Sequence, residues 1–206
     1  MWIIPSRGRP KLLARLSEVS QQPAVIVLDQ DDVDNYAAVP MPDNWQTVIL
    51  PRCDTGTRIN RIFAMFPNEP FYGLGADDLN PEQGWDTMLA SKASSRDIIW
   101  PEDGIANRCT HPVIGGDLIR AFGFIAPACL RHFYIDTFWE DLAKCLPVTG
   151  LLMGLNVNHC HFSNGKALMD DTYKGRPSSQ VDEMAYYAFR QTQFNQLVDK
   201  CLTLFA

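Results

Sequence analysis

The sequence predicts an α/β protein with a largely parallel central sheet flanked by helices. Three observations carry this: short apolar runs rich in β-branched residues alternate with amphipathic helical patterns, several of those runs end in carboxylates, and no stretch is repetitive. In open sheets of that kind ligands bind at the carboxyl ends of the strands, so the acids there are the first place to look for chemistry.

The elements follow in order. Ile3-Ile4-Pro5 reads as a first strand, and Pro10 opens a helix whose Leu12, Leu13, Leu16 and Val19 recur at helical spacing. Pro23 to Leu28 is a continuous apolar run expected of a strand covered on both faces, and it ends in Asp29-Gln30-Asp31-Asp32. Trp45 to Leu50 is a third strand, after which Thr55-Gly56-Thr57 opens a helix with Ile59, Ile62, Phe63 and Phe66 on one face. Phe71 to Gly75 makes a fourth strand that stops at Asp77-Asp78, and Ile98 to Trp100 a fifth. Helices are expected from Gly115-Gly116 and from Asp136, with a strand from Leu155 to His161. One long amphipathic C-terminal helix, from Gln180 to Phe205, is expected to turn Val181, Met184, Ala185, Ala188, Leu197, Cys201 and Leu204 toward the body.

Composition narrows the function. The 206 residues fit one domain, and a net charge of −6 argues against broad adhesion to nucleic acid or anionic membrane. No stretch is long enough to span a bilayer, and the N-terminal apolar run is too short for a secretion signal. The six cysteines show no framework spacing, so they are expected as reduced thiols in a cytoplasmic protein. Adjacent carboxylates such as Asp77 and Asp78 repel and are costly to desolvate, which favours a compensating cation or donor array; the alternative is a solvated, Asp-capped turn.

The ordered series Ile4-Pro5-Ser6-Arg7-Gly8-Arg9-Pro10, a strand ending in Asp29, Gly56-Thr57-Arg58-Ile59-Asn60, Asp77-Asp78, Gly115-Gly116 with Arg120, and the acid-rich helix near Asp136 resembles family 2 glycosyltransferases of the GT-A, Rossmann-like fold, most closely the short phage-encoded type. The resemblance spans residues 3 to 161. It implies a single glycosyltransferase domain over 1–206, with a nucleotide-sugar half (1–110) and an acceptor-side half (111–206). The implied donor is a nucleoside diphosphate sugar and the implied cofactor Mn2+ or Mg2+. The implied acceptor is a hydroxymethylated pyrimidine in phage DNA, or else a glycan or protein hydroxyl, in a host's cytoplasm.

The resemblance also implies roles. Pro5, Ser6 and Arg7 line base and ribose, and Asp29 accepts from the base. Arg7, Arg9 or Arg58 faces the phosphates, with Asn60 beside them. Asp77 contacts ribose or a metal-bound water, and Asp78 binds the metal as the last acid of a DXD motif whose first position here is Ala76. The base is Asp136, expected at a helix N-cap, or the Glu140-Asp141 pair one turn on. His159 or His161 completes the metal shell, and as residues of one strand only one of them would face the site. A zinc cluster of Cys109, His111, His159, Cys160 and His161 matches no ordinary zinc spacing. Rival readings are a nucleotidyltransferase, whose Gly-rich, lysine-containing loop Ser6-Arg7-Gly8-Arg9 is too short to supply, and an inactive nucleotide-sugar-binding or interaction protein.

Overall fold

A computed structural model describes residues 1–105, 108–174 and 178–206. Among them, seven strands form one sheet: β1 (Trp2–Ser6), β2 (Ala24–Asp29), β3 (Trp45–Leu50), β4 (Phe71–Leu74), β5 (Ile98–Glu102), β6 (Val113–Gly115) and β7 (Gly150–Asn156). The sheet order is β3-β2-β1-β4-β6-β5-β7. The β1–β2, β2–β3, β1–β4 and β5–β7 pairs are parallel, whereas β6 runs antiparallel to both β4 and β5. That strand, only three residues long, was not disclosed by the sequence pattern, because its apolar run merges into the helix that follows; β7, at Gly150–Asn156, lies ahead of the expected Leu155 to His161 and overlaps it by two residues.

Strand period explains the two-sided core. Trp2, Ile4, Ala24, Ile26 and Leu28 pack on one face against Leu13 and Leu16 of α1 (Pro10–Val19) and Trp85 and Leu89 of α3 (Trp85–Lys92). Ile3, Val25 and Val27 face the other way, onto Ile59 and Ile62 of α2 (Thr55–Met65), with α4 (Gly116–Phe122) and α5 (Ile135–Ala143) beyond. Gly73 is obligatory here, since a Cβ would lie 2.4 Å from the Trp2 ring.

The C-terminal region departs from expectation. After the short α6 (Asp171–Lys174), the expected single helix is two, α7 (Ser179–Thr192) and α8 (Phe194–Leu202), broken at Gln193, whose backbone leaves the helical region. The break turns Phe194 into the core against Phe138. The buried face of α7 is also rotated from the expected one: Val181 and Met184 are exposed, while Asp182, Tyr186 and Phe189 are buried.

Candidate active site

Three parallel strands deliver their acids to one sheet edge. β1 ends in Ser6 and Arg7, β2 in Asp29, and β4 runs through Gly75-Ala76 into Asp77-Asp78. Because β6 is antiparallel, the residues before it arrive at the same edge, which brings in His111. Beyond β7, Val157 donates to the Glu102 carbonyl, Cys160 donates to the Asp78 carbonyl and His159 donates to the Asp103 carbonyl. The chain after Asn156 is thereby stitched between the ends of β4 and β5.

Two cavities open at this edge. The larger, about 660 Å³, is lined by Arg7, Arg9, Arg52, Arg58 and Arg131 together with Ser6, Asp29 and Asp77. The smaller, about 390 Å³, is mostly apolar, with Ile59, Leu74, Ile105 and Phe133 surrounding Asp103, His111, Asp136, His159 and His161. Asp78, Pro5, Thr55, Gly75, Ala76 and His132 line both.

The polar groups are cross-linked. Arg9, 7% exposed, donates from Nη1 to Asp77 (3.1 Å) and Asp78 (2.9 Å) and from Nε to Asp170 (2.8 Å). Ser6 donates to the other Asp77 oxygen at 2.6 Å. Burial, together with the Asp78 charge, pushes the Asp77 carboxyl up to about 6. Asp29 is fully buried with one oxygen accepting from Arg58 and the other from Arg7, which also grips Asp31. Asp29 therefore organises two guanidiniums at the wall of the larger cavity. Arg58 is buried and not part of a solvated helix face; its Nε finds no hydrogen-bond partner among the described residues.

Of the acids proposed as base, Asp136 lines the smaller cavity and Glu140 and Asp141 do not. Glu140 pairs with Lys144, and Asp141 accepts from Tyr186 and pairs with Arg190. Asp136 is not the N-cap: Tyr134 holds that position with a left-handed φ of 65°, and Asp136 lies in the first turn, accepting from the Thr137 N–H at 2.8 Å. Burial raises the Asp136 carboxyl above its ordinary range. Asn60 also departs from expectation. Its amide accepts from the Ile125 and Ala126 N–H groups and donates to the Ala126 carbonyl, clamping a loop, and it lines neither cavity.

The histidines differ from expectation as well. β7 ends at Asn156 and Asn158 turns left-handed (φ 46°), so His159 and His161 do not alternate across a strand. Both line the smaller cavity; His159 is buried with Nε2 3.2 Å from Asp78 Oδ1, and His161 bonds Ser163. His111 packs edge-on against His159, and burial pushes it down to about 3, so it is neutral. Its place could have been read only by recognising β6.

A divalent cation would be held by Asp78 and His159. Hard divalent cations commonly take one or two protein carboxylates and complete their shell with substrate phosphate and water, and manganese accepts imidazole. Asp78 Oδ1 with His159 Nε2 beside it is such a partial donor set. No group of three His, Cys, Asp or Glu among the described residues is arranged to hold a metal by itself, so the site suits a cation that arrives with a phosphorylated ligand.

Asp182 was not singled out by its sequence context. At the start of α7, and buried, it accepts from the N–H groups of Arg131, His132 and Phe133 and so fixes a wall common to both cavities. Gly56 supports the same wall: its N–H donates to the Arg131 carbonyl, and a Cβ there would lie 2.2 Å from the Leu130 carbonyl oxygen.

No protein-family model and no curated protein matches the sequence. Solved structures do. A protein of Mycobacterium tuberculosis H37Rv, Rv0371C in complex with manganese, aligns over 79% of this chain and 92% of its own, with TM-score 0.53 and 15% identity. The mannosyltransferase PcManGT from Pyrobaculum calidifontis, solved with GDP-mannose and Mn2+, aligns over 98% of this chain and 72% of its own, with TM-score 0.56 and 9% identity. At such identities the likeness establishes the fold: a mostly parallel, Rossmann-like sheet of the GT-A type.

Proposed function

We propose that this chain is a metal-dependent, inverting glycosyltransferase that moves a sugar from a nucleoside diphosphate to an acceptor hydroxyl. The observation that carries the reading is the meeting of two chemically unlike cavities at Asp78, one walled by arginines and the other holding the half-buried acid Asp136. The arginine-lined cavity takes the donor. Arg9, Arg7 and Arg58 face its diphosphate with charge-assisted hydrogen bonds, their guanidiniums positioned by Asp29, Asp77 and Asp78. A cation held at Asp78 and His159 supplies compensation for the negative charge that grows on the leaving diphosphate. In the smaller cavity Asp136 accepts the proton of the acceptor hydroxyl as that oxygen attacks, a role helped by a carboxyl whose proton affinity burial has raised. A single displacement with such a base inverts the anomeric centre.

The acceptor to be tested first is a hydroxymethylated pyrimidine in DNA, on the resemblance to short phage-encoded enzymes; exposed Arg108 and Arg131, at the two cavities, are the local cations that a chain of net charge −6 would need for it. A glycan or protein hydroxyl is the competing acceptor. The experiment is the thermal midpoint of the purified protein against nucleoside diphosphates and nucleotide sugars, with manganese and with a chelator, followed by transfer from the stabilising donor to hydroxymethylated and unmodified DNA. A manganese-dependent rise with one nucleotide series and incorporation of sugar into modified DNA only is the expected result. Absence of a shift with every nucleotide would overturn the enzymatic reading, and a shift without DNA labelling would move the acceptor to a glycan or protein.

A further inference from the structure

We propose that Asp170 is a positioning residue for the cation site: it holds the Arg9 guanidinium in the orientation that sets the Asp78 carboxylate, and so ties the segment after β7 to the metal acids. The inference rests on the metal reading above, and hydrogen-bond geometry carries it. Asp170 stands just before α6, 161 residues from Arg9, and grips one edge of the guanidinium, Oδ2 accepting from Nε at 2.8 Å and Oδ1 from Nη2 at 3.2 Å. This is the bidentate fork that a planar, rigid guanidinium makes with a carboxylate. With that edge fixed, the direction of the third nitrogen is fixed too. Nη1 points inward and serves both Asp77 Oδ1, at 3.1 Å, and Asp78 Oδ2, at 2.9 Å.

The consequence falls on Asp78. Because Arg9 holds Oδ2, the other oxygen of that carboxylate is turned toward His159, with Oδ1 3.2 Å from Nε2. Those are the two atoms assigned to the cation, so Asp170 sets the direction of Asp78 Oδ1 through Arg9. Charge agrees with the assignment: three carboxylates around one guanidinium leave a formal excess of two negative charges, which a divalent cation offsets. Stability alone does not account for the contact. The Asp170 side chain is 40% exposed against 6% for Arg9, and an ion pair with one end in water adds little to a fold. What Asp170 supplies is direction. Thr172 adds a second stitch, donating to the Arg7 carbonyl at 2.9 Å, so the segment clasps the loop between β1 and α1 at two points.

Three variants and two readouts test this. Asp170→Asn keeps the shape of the side chain but loses the ionic fork, and Asp171→Asn removes the neighbouring exposed charge, which pairs with Lys174 instead. Arg9→Lys keeps the positive charge but, as a single ammonium, offers no edge to Asp170. In chelator-treated protein, nuclear magnetic resonance is expected to find the Arg9 Nε–H exchanging slowly with water in the wild type and in Asp171→Asn. Exchange is expected to be rapid in Asp170→Asn, whose melting midpoint stays nearly unchanged. Manganese affinity, read by electron paramagnetic resonance of free Mn2+ with uridine or guanosine diphosphate present, is expected to fall about tenfold in Asp170→Asn, the lower end of what lost outer-shell partners cost. It is expected to stay at the wild-type value in Asp171→Asn. In the Arg9→Lys background the same Asp170→Asn change is expected to cost less than about twofold, since residues acting through one contact are not additive. Rapid Nε–H exchange in a manganese-binding wild type overturns the inference alone. Wild-type manganese affinity in Asp170→Asn does the same, as does an equal fall in both backgrounds, which would make Asp170 a distant charge only. A slowly exchanging Nε–H with no manganese binding in the wild type overturns the metal reading and takes the inference with it.

Discussion

At the scale of single residues, the site is a set of charges whose neighbours decide what each can do. Asp78 shares Arg9 with Asp77 and Asp170, so Asp78→Asn leaves that buried guanidinium two carboxylates and relieves the repulsion with Asp77. Turnover and manganese-dependent donor binding are expected to vanish while the melting midpoint stays nearly unchanged; a large loss of stability would instead make Asp78 a structural acid. Asp136→Asn is expected to spare donor binding and lower kcat by about 10²–10⁴. Its stability carries a sign that can be checked. Burial raises the folded-state Asp136 carboxyl above its unfolded value, so the group's contribution to stability is full at low pH and is lost as pH rises through the folded value. The variant has no such loss, and its midpoint relative to wild type is expected to climb with pH. For Asp77, raised to about 6 by burial and Asp78, a cation bound alongside would displace the proton. Manganese binding near pH 6 is expected to release protons, measurable as a dependence of the calorimetric heat on buffer ionisation enthalpy, with the release fading toward pH 8.

At the scale of elements, the walls of the cavities depend on contacts far apart in the sequence. Asp182 of α7 gathers three backbone N–H groups of the 131–133 loop. Asp182→Ala is expected to cost about 3 kcal/mol, the range for buried hydrogen bonds to a charged group, and to lower the midpoint by roughly 6–12 °C for a chain of this size. Donor binding should weaken too, since Arg131 and His132 line that cavity. Unchanged stability would show that the loop holds without its acceptor. The strands β1 to β5 and the helices α1 and α2 are legible in the sequence because each is an apolar run or a helical stripe of several residues. β6 is not, since three residues carry too little period. That omission hid how His111 reaches the site, which it does because β6 runs against its neighbours. The C-terminal break at Gln193 was hidden for a related reason: the apolar stripe of α7 continues into α8, and only the pull of Phe194 into the core separates them.

At the scale of the whole molecule, function rests on the ends of β1, β2, β4, β5 and β7 and the entry to β6 meeting at one sheet edge, where a bound donor and cation would bridge both cavities. Saturating donor with manganese at about a hundred times its dissociation constant is expected to add about 2.7 kcal/mol, a midpoint rise of roughly 5–11 °C, and chelation should abolish most of it. The sequence by itself determined the strands and helices up to β5 that carry an apolar run or stripe, and the carboxyl-edge position of Asp29, Asp77 and Asp78. Those follow from periodicity and strand-end chemistry, which are local; the candidacy of Asp136 came from the family resemblance. Only the tertiary structure decided that Asp29 is taken by two arginines, that Asn60 clamps a loop, that Glu140 and Asp141 face α7, and that both His159 and His161 line one cavity. Each of those outcomes depends on which distant group occupies a side chain's hydrogen bonds, and chain spacing holds no record of that.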